Sequence, residues 1–247
     1  MNIARYLDST YLKTPEQSGL SEQETLQKDK ALAQEAIDHG ILAVMIRPDY
    51  VSEIKKYISE RNSEVIVGTV IGFHEGTFPP EQKLAEASKA IEDGADELDF
   101  VINYQAYLAG DLDLVEEEFL KCTQLCLRHQ KIAKWIIEIA ALTDGQIADL
   151  TGRISGWAEA FFSEKDLSRI FIKSSTGFYE TPDGKPNGAT FEGIRIMIDH
   201  AGKLPVKAAG GVRTPDDAER MIRMGVKRIG TSSALALLKS EAGPERY

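Results

Sequence analysis

Eight short apolar runs, each followed by a stretch with helical spacing, constrain this chain more than any other feature. The runs read as strands at Ile3–Leu7, Leu42–Ile46, Val65–Phe73, Glu97–Asn103, Lys134–Ile139, Ile170–Ser174, Val206–Ala209 and Arg228–Thr231. Between them apolar residues recur at helical spacing, as Leu84, Ala87, Ala90 and Ile91 do within Pro80–Asp93. Asp111–His129 and Thr214–Met224 repeat the pattern, and Thr214-Pro215-Asp216-Asp217 supplies a cap, a proline at the first helical position and acids in the first turn. Eight β-then-α units in 247 residues have the size and rhythm of a closed (β/α)8 barrel. A doubly wound open sheet is the rival, but no GxGxxG follows the first run and the count of eight favours closure. No low-complexity linker or shift in composition divides the chain. The expectation is an α/β protein made of one TIM-barrel domain over residues 1–247, with a short N-terminal extension and a short, flexible C-terminal tail from about residue 240.

Alternation within the strands says what the lumen holds. One face of a barrel strand meets the helices and must be apolar, and the other points inward. In the fourth run Leu98, Phe100 and Ile102 share a face, leaving Glu97, Asp99 and Asn103 on the other. The fifth opposes Trp135, Ile137 and Ile139 to Lys134 and Glu138, the sixth opposes Ile170 and Ile172 to Lys173, and the seventh opposes Val206 to Lys207. The lumen therefore collects Asp99, Lys134, Glu138, Lys173 and Lys207, where a structural barrel would stack valine, isoleucine and leucine. Five charges there amount to a reaction site or a costly buried network, and charges at the C-terminal ends of barrel strands favour the site.

Lys173 ends a buried run, Ile170-Phe171-Ile172, and is followed at once by the turn chemistry of Ser174-Ser175-Thr176-Gly177. Lys173 and Lys207 fall on consecutive strands, whose backbones lie about 4.8 Å apart. Two ammoniums about 5 Å apart at an effective dielectric of ~20 repel by roughly 3 kcal/mol. That is about two pKa units, enough with some burial to bring a lysine from ~10.4 towards neutrality. A neutral amine attacks a carbonyl and forms a Schiff base. The bland alternative pairs each lysine with Asp99 or Glu138, and both hold if one lysine is charged while the other is nucleophilic. Glycine-bearing turns leave the last two strands, Ala209-Gly210-Gly211-Val212-Arg213 and Gly230-Thr231-Ser232-Ser233. Together, though neither does so alone, they suit a phosphate, which barrels bind with backbone N–H groups in these two loops; the alternative for Ser232 and Ser233 is plain helix caps.

Hydrophobic residues make up 43% of the chain and charged ones 28%, as in an ordinary globular protein. A net charge of −10 argues against nonspecific nucleic-acid binding, and charge interrupts every apolar run before membrane-spanning length. No basic-then-apolar leader opens the chain, so a cytoplasmic setting is the default. Cys122 and Cys126, four residues apart, read as small apolar residues on one helix face. The histidines, His39, His74, His129 and His200, show no ligand spacing, so no metal site is expected; His74, just past the third run, reads as a solvated loop residue, with a place lining the mouth as the lesser alternative.

Taken together, FIKSSTGF, VKAAGGVRT, RIGTSS, GADELDFVIN and LDSTYLK resemble, in order and from about Asp8 to Ser233, the signature segments of the 2-deoxyribose-5-phosphate aldolase family, which are class I, Schiff-base aldolases. The resemblance implies reversible cleavage of 2-deoxy-D-ribose 5-phosphate to glyceraldehyde 3-phosphate and acetaldehyde. It makes Lys173 the Schiff-base nucleophile, Lys207 the residue that tunes its pKa, Asp99 a proton relay through water and Lys134 a support near the reacting centre. Asp8 and Thr10 would touch sugar hydroxyls, and Thr176, Gly177, Gly210, Gly211, Ser232 and Ser233 would hold the phosphate. It implies no metal or organic cofactor, and a homo-oligomer with a dimer favoured.

Three departures stand out. Tyr179–Pro186 is inserted before a glycine-bearing segment that the family reaches almost directly, Phe73-His74-Glu75-Gly76 replaces a G-F-P-H-G pattern, and Met45 stands where a small residue or cysteine is common. They leave open a Schiff-base aldolase with a different, even unphosphorylated, acceptor. A non-catalytic phosphosugar-binding barrel is the third reading, disfavoured because a binder has no need of Lys173, Lys207 and Asp99 together. Tyr247, at the end of the tail, is a candidate lid, with disorder of such an end the favoured alternative.

Overall fold

The computed structural model describes residues 2–238. Eight parallel strands close into a barrel in sequence order: β1 (Leu7–Thr10), β2 (Ala43–Ile46), β3 (Ile66–Ile71), β4 (Glu97–Val101), β5 (Ile132–Ile136), β6 (Ile170–Lys173), β7 (Val206–Ala209) and β8 (Arg228–Thr231), with β8 paired back to β1. Helices ring the barrel: α1 (Glu22–His39), α2 (Val51–Ser59), α3 (Pro80–Glu92), α4 (Leu112–Arg128), α5 (Asp144–Phe161), α6 (Phe191–His200), α7 (Pro215–Met224) and α8 (Ala234–Leu238). The barrel expected from the alternation is the fold observed. The tail from residue 240, with Tyr247, lies outside the described residues. Among the described residues, no helix is long and apolar enough to cross a membrane.

The start of the barrel differs from expectation. Ile3–Tyr6 winds into a 3-10 turn, and the first strand is Leu7–Thr10, sharing only Leu7 with the expected run. The turn leaves the Ala4 carbonyl to accept from Leu42 N at 3.0 Å beneath the barrel. Closure then requires Asp8 to pair with Ala43 on one side and Gly230 on the other. A strand reading Leu-Asp-Ser-Thr has little apolar signal because its inward side chains serve a polar lumen. The fifth strand also stops early, at Ile136, because Glu138 takes a left-handed conformation with φ 54°.

The helix-facing side is the apolar core that the alternation requires. Phe100 stacks on Trp135 with ring centroids 4.9 Å apart, and the buried Trp135 indole N–H donates to Thr123 Oγ1 of α4 at 2.9 Å, satisfying its polar atom. Cys122 and Cys126 are free and buried on α4, and burial pushes the Cys122 thiol up to about 12. They pack as small apolar side chains.

One ion pair in this layer is fully buried. Lys83 Nζ of α3 reaches Glu118 Oε2 of α4 at 2.5 Å and the Val101 carbonyl at 2.8 Å, while Glu118 Oε1 accepts from Asn103 N. The pair ties two helices to the end of β4, just past the inward-facing Asp99. Its stem also fills the space beside Gly72, where a Cβ would come within 2.9 Å of Lys83 Cε. Removing one partner of a buried pair leaves a stranded charge. Glu118→Ala should therefore cost about 3–5 kcal/mol, checked by the urea midpoint.

Candidate active site

Strand register concentrates charge in the lumen. Lys173 of β6 lies level with Lys207 of β7, and Lys207 with Arg228 of β8. Across the barrel β4 supplies Glu97 and Asp99, with Lys134 of β5 level with Asp99, and β1 supplies Asp8. The side chains form a closed circuit. Arg228 binds Glu97 through two bonds of 2.9 and 2.7 Å. Glu97 pairs with Lys134 at 2.6 Å, and Lys134 with Asp99 Oδ1 at 2.8 Å. Asp99 Oδ2 takes Lys207 at 2.7 Å, Lys207 reaches Asp8 Oδ2 at 2.6 Å, and Asp8 Oδ1 returns to Arg228 Nε at 2.7 Å. Lys173 joins from above by sharing Asp99 Oδ2, at 2.8 Å. Gly230 leaves room for Lys207, since a Cβ there would lie 3.2 Å from Lys207 Cε, a tight contact.

The circuit splits the lysines. Burial pulls the Lys173 ammonium down, Asp99 opposes, and Lys207 adds to the fall, leaving it at about 8. Burial is thus the leading cause, ahead of the neighbouring ammonium on which the sequence estimate leaned. Burial acts on Lys134 in the same direction, but Asp99, Glu97 and Asp8 outweigh it and hold that lysine above its ordinary value. Burial would raise the Asp99 carboxyl, yet Lys134, Lys173 and Lys207 keep it well below the usual range. For Asp8 burial is outweighed by Arg228 and Lys207, and its pKa falls to about 2. Both carboxylates have folded pKa values below their unfolded ones, so the stability they contribute is present above about pH 4 and lost on acidification. Far-UV circular dichroism should show acid unfolding as pH falls from about 4 towards 2.

Above the circuit lie the turns that leave the strands. Ser174 Oγ donates to the Ala209 carbonyl at 3.2 Å and accepts from Ala209 N at 3.0 Å, locking the ends of β6 and β7 together. Thr176 is held by Glu138, whose Oε2 accepts from Thr176 N at 3.1 Å and from its hydroxyl. Gly210 and Gly211 have φ of 72° and 77°, and Gly188 sits so tightly on Gly210 that a Cβ would come within 2.5 Å of its carbonyl carbon. Ser232 and Ser233 are exposed after β8, with Ser233 N donating to Thr231 Oγ1 at 3.1 Å. Thr176, Gly177, Gly210, Gly211, Ser232 and Ser233 thus occupy the loops after β6, β7 and β8 at one rim. Thr10 is half-buried at the rim of β1, whereas Asp8 is sealed beneath, its carboxylate committed to Arg228 and Lys207.

The chain is similar to known proteins over nearly its whole length. Residues 8–240 match the DeoC/LacD family aldolase. The chain belongs to that family. A deoxyribose-phosphate aldolase from Thermococcus gammatolerans is 38% identical over 246 residues, 99% of each chain. One from Streptococcus gordonii is 37% identical over the full length of both. The solved tetrameric deoxyribose phosphate aldolase from Aeropyrum pernix superposes with a TM-score of 0.76 at 28% identity, covering 96% of this chain and 89% of that one.

The three segments read from the sequence as departures lie around the mouth of the aldolase barrel. Met45 points inward with Leu12 and Val70, against Phe73 and Phe178, and fills the space that Gly68 leaves, 2.3 Å from where a Cβ would sit. His74 is half-buried and lines the mouth, the lesser of its two sequence readings. Its ring stacks on Phe178 at 5.6 Å, and Phe73 meets Phe178 edge-on at 5.0 Å. The Arg47 guanidinium covers Phe73 at 4.8 Å, so one side of the aldolase mouth is an aromatic wall. The inserted loop is pinned at both ends, by Tyr179 packing edge-on against Tyr104 and by Asn187 Nδ2 donating to the Gly177 carbonyl at 3.0 Å. Two members of the charged circuit escaped the sequence reading of site residues, Glu97 and Arg228. Glu97 shares its strand face with Asp99, a signal that could have found it; Arg228 opens its run, where no alternation marks it as inward.

Proposed function

We propose that this aldolase cleaves 2-deoxy-D-ribose 5-phosphate reversibly to D-glyceraldehyde 3-phosphate and acetaldehyde through a Schiff base on Lys173. The observation that carries this reading is the buried Lys173 amine, held near pH 8 beside a carboxylate that stays ionised. Neutral Lys173 attacks the sugar aldehyde, and loss of water gives a protonated imine. The imine draws electrons from the bond between C2 and C3 as the C3 hydroxyl loses its proton, releasing glyceraldehyde 3-phosphate and leaving an enamine. Protonation of that enamine and return of the water free acetaldehyde and the lysine.

Asp99 relays these protons through a water, and Lys207 disfavours the charged form of Lys173 while exchanging protons with the same carboxylate. Lys134 fixes the other Asp99 oxygen. Thr10 takes a sugar hydroxyl at the rim, with Asp8 acting from beneath, and the phosphate lies against Thr176, Gly177, Gly210, Gly211, Ser232 and Ser233. The chain works as one catalytic domain in the cytoplasm and as a homo-oligomer, with a dimer as the expected unit; the Aeropyrum pernix relative is described as a tetramer.

The direct test is a coupled assay of acetaldehyde or triose phosphate released from 2-deoxyribose 5-phosphate. A purified protein that traps acetaldehyde yet leaves this sugar phosphate intact would favour a different acceptor, the reading to which Met45 and the inserted loop lend weight. Lys207→Leu should cut kcat/KM by about 10²–10⁴-fold, the range for losing a proton-transfer partner. Its pH–rate profile should also move to higher pH, since Lys173 loses a repelling neighbour; near-normal activity would remove Lys207 from the mechanism.

A further inference from the structure

The ion circuit has a charge balance that singles out one lysine. Its acids are Asp8, Glu97 and Asp99; its cations are Lys134, Lys207 and Arg228. Three negative charges meet three positive ones around a closed loop, so the circuit is neutral by itself. Lys173 is the surplus cation, admitted only by sharing an Asp99 oxygen that Lys207 already holds. The other charged group facing it is Glu138, whose Oε2 is committed to Thr176 and whose own protonation burial favours. From β2 and β3 the lumen offers Met45 and Val70, which carry no charge.

We propose that the Glu97–Arg228 pair is a positioning element that completes a charge-neutral ring, so that Lys173 is left as the one lumen lysine without a carboxylate of its own. This rests on the reading of Lys173 as the nucleophile and extends it to two residues that do not touch the reacting atoms. Arg228 acts through Asp8 and Lys207, and Glu97 through Lys134 and Asp99. Both are buried, with Arg228 5% and Glu97 1% exposed, so their charges are poorly screened. Six charges in a barrel core are costly, and apolar layers would hold the strands together at least as well. A ring that balances to zero accounts for why the cost is tolerated. It also accounts for the contrast between Lys134, held above its ordinary value, and Lys173, brought down to about 8.

The proposal makes the two partners of one ion pair act in opposite directions. Glu97→Gln leaves the ring with a surplus positive charge and should make Lys173 shed its proton at lower pH. Arg228→Gln leaves a surplus negative charge and should make it hold its proton to higher pH. A unit charge across a lumen with an effective dielectric of ~20 moves a pKa by about one unit. Arg228→Lys keeps the charge, and the double variant Glu97→Gln/Arg228→Gln restores neutrality, so both should return close to the parent midpoint.

The readout is reductive methylation of the intact protein by formaldehyde and an amine borane across pH, with the Lys173 peptide quantified by mass spectrometry. This follows the amine without relying on aldolase turnover. Opposite shifts in the two single variants, reversed in the double variant, are the expected result. Shifts of the same sign, or none, would overturn the ring proposal while leaving the nucleophile reading intact. A parent midpoint near 10.5 would instead defeat the nucleophile reading itself. If Arg228→Gln fails to fold, Glu97→Gln and the double variant carry the test, since the first must shift downward and the second must not.

Discussion

Lys173→Met is expected to abolish cleavage and, at the same time, to stabilise the protein. Loss of a covalent nucleophile costs more than about 10³-fold in turnover, because no neighbouring group replaces the bond it forms. The stability effect follows from the same electrostatics. Lys173 is the cation with no carboxylate to itself, and its folded pKa lies below the unfolded value of 10.5. Folding at neutral pH therefore forces a charged ammonium into a site that disfavours it, a cost relieved only as pH rises through about 8 and towards 10.5. Methionine keeps the length of the side chain without the charge. Replacing a buried ion with an apolar group of similar volume stabilises by about 1–4 kcal/mol where the remaining charges stay paired, and here the ring remains neutral. The urea midpoint at pH 7 should rise while activity vanishes. An active variant would exclude Lys173 as nucleophile, and a strongly destabilised one would contradict the charge balance.

Asp99→Asn should do the reverse to stability. Its carboxylate is the meeting point of Lys134, Lys173 and Lys207 at 2.7–2.8 Å. An amide of the same shape leaves three ammoniums around a neutral group, and stranding buried charge costs about 3–5 kcal/mol. The lysines can lower that cost by shedding protons, so the variant's stability should recover as pH is raised from 7 towards 10. The sign follows from linkage: the unfolded chain then binds more protons than the folded one, and stability rises with pH. Activity should fall by about 10²–10⁴-fold through loss of the proton relay. Urea unfolding of the variant at several pH values checks the first effect, and single-turnover kinetics the second.

What the sequence made legible follows from which residues face the helices. Strands from β2 to β8 bury apolar side chains outward, and alternation along β4 to β7 then placed Asp99, Lys134, Lys173 and Lys207 inward. The strand β1 escaped because Leu7-Asp8-Ser9-Thr10 has one large apolar residue, and its position is set by closure against β2 and β8. Arg228 escaped for a related reason. A charged residue at the first position of a strand normally points to solvent, and only the barrel register, which levels it with Lys207, turns it into the lumen. Glu138 reached the site by a route that alternation does not describe, a left-handed backbone that carries its carboxylate over to Thr176. The His74 stack on Phe178 joins residues far apart in the chain, and no local pattern announces such a contact.

The central claim is that Lys173 forms the covalent intermediate, and reductive trapping tests it most directly. The protein is incubated with acetaldehyde and borohydride, digested, and its peptides compared by mass spectrometry with an untreated sample. An ethyl adduct on the peptide containing Lys173, formed faster than at Lys134 or Lys207 and lost in Lys173→Met, is the predicted result. No adduct there, or preferential trapping at another lumen lysine, would contradict the account.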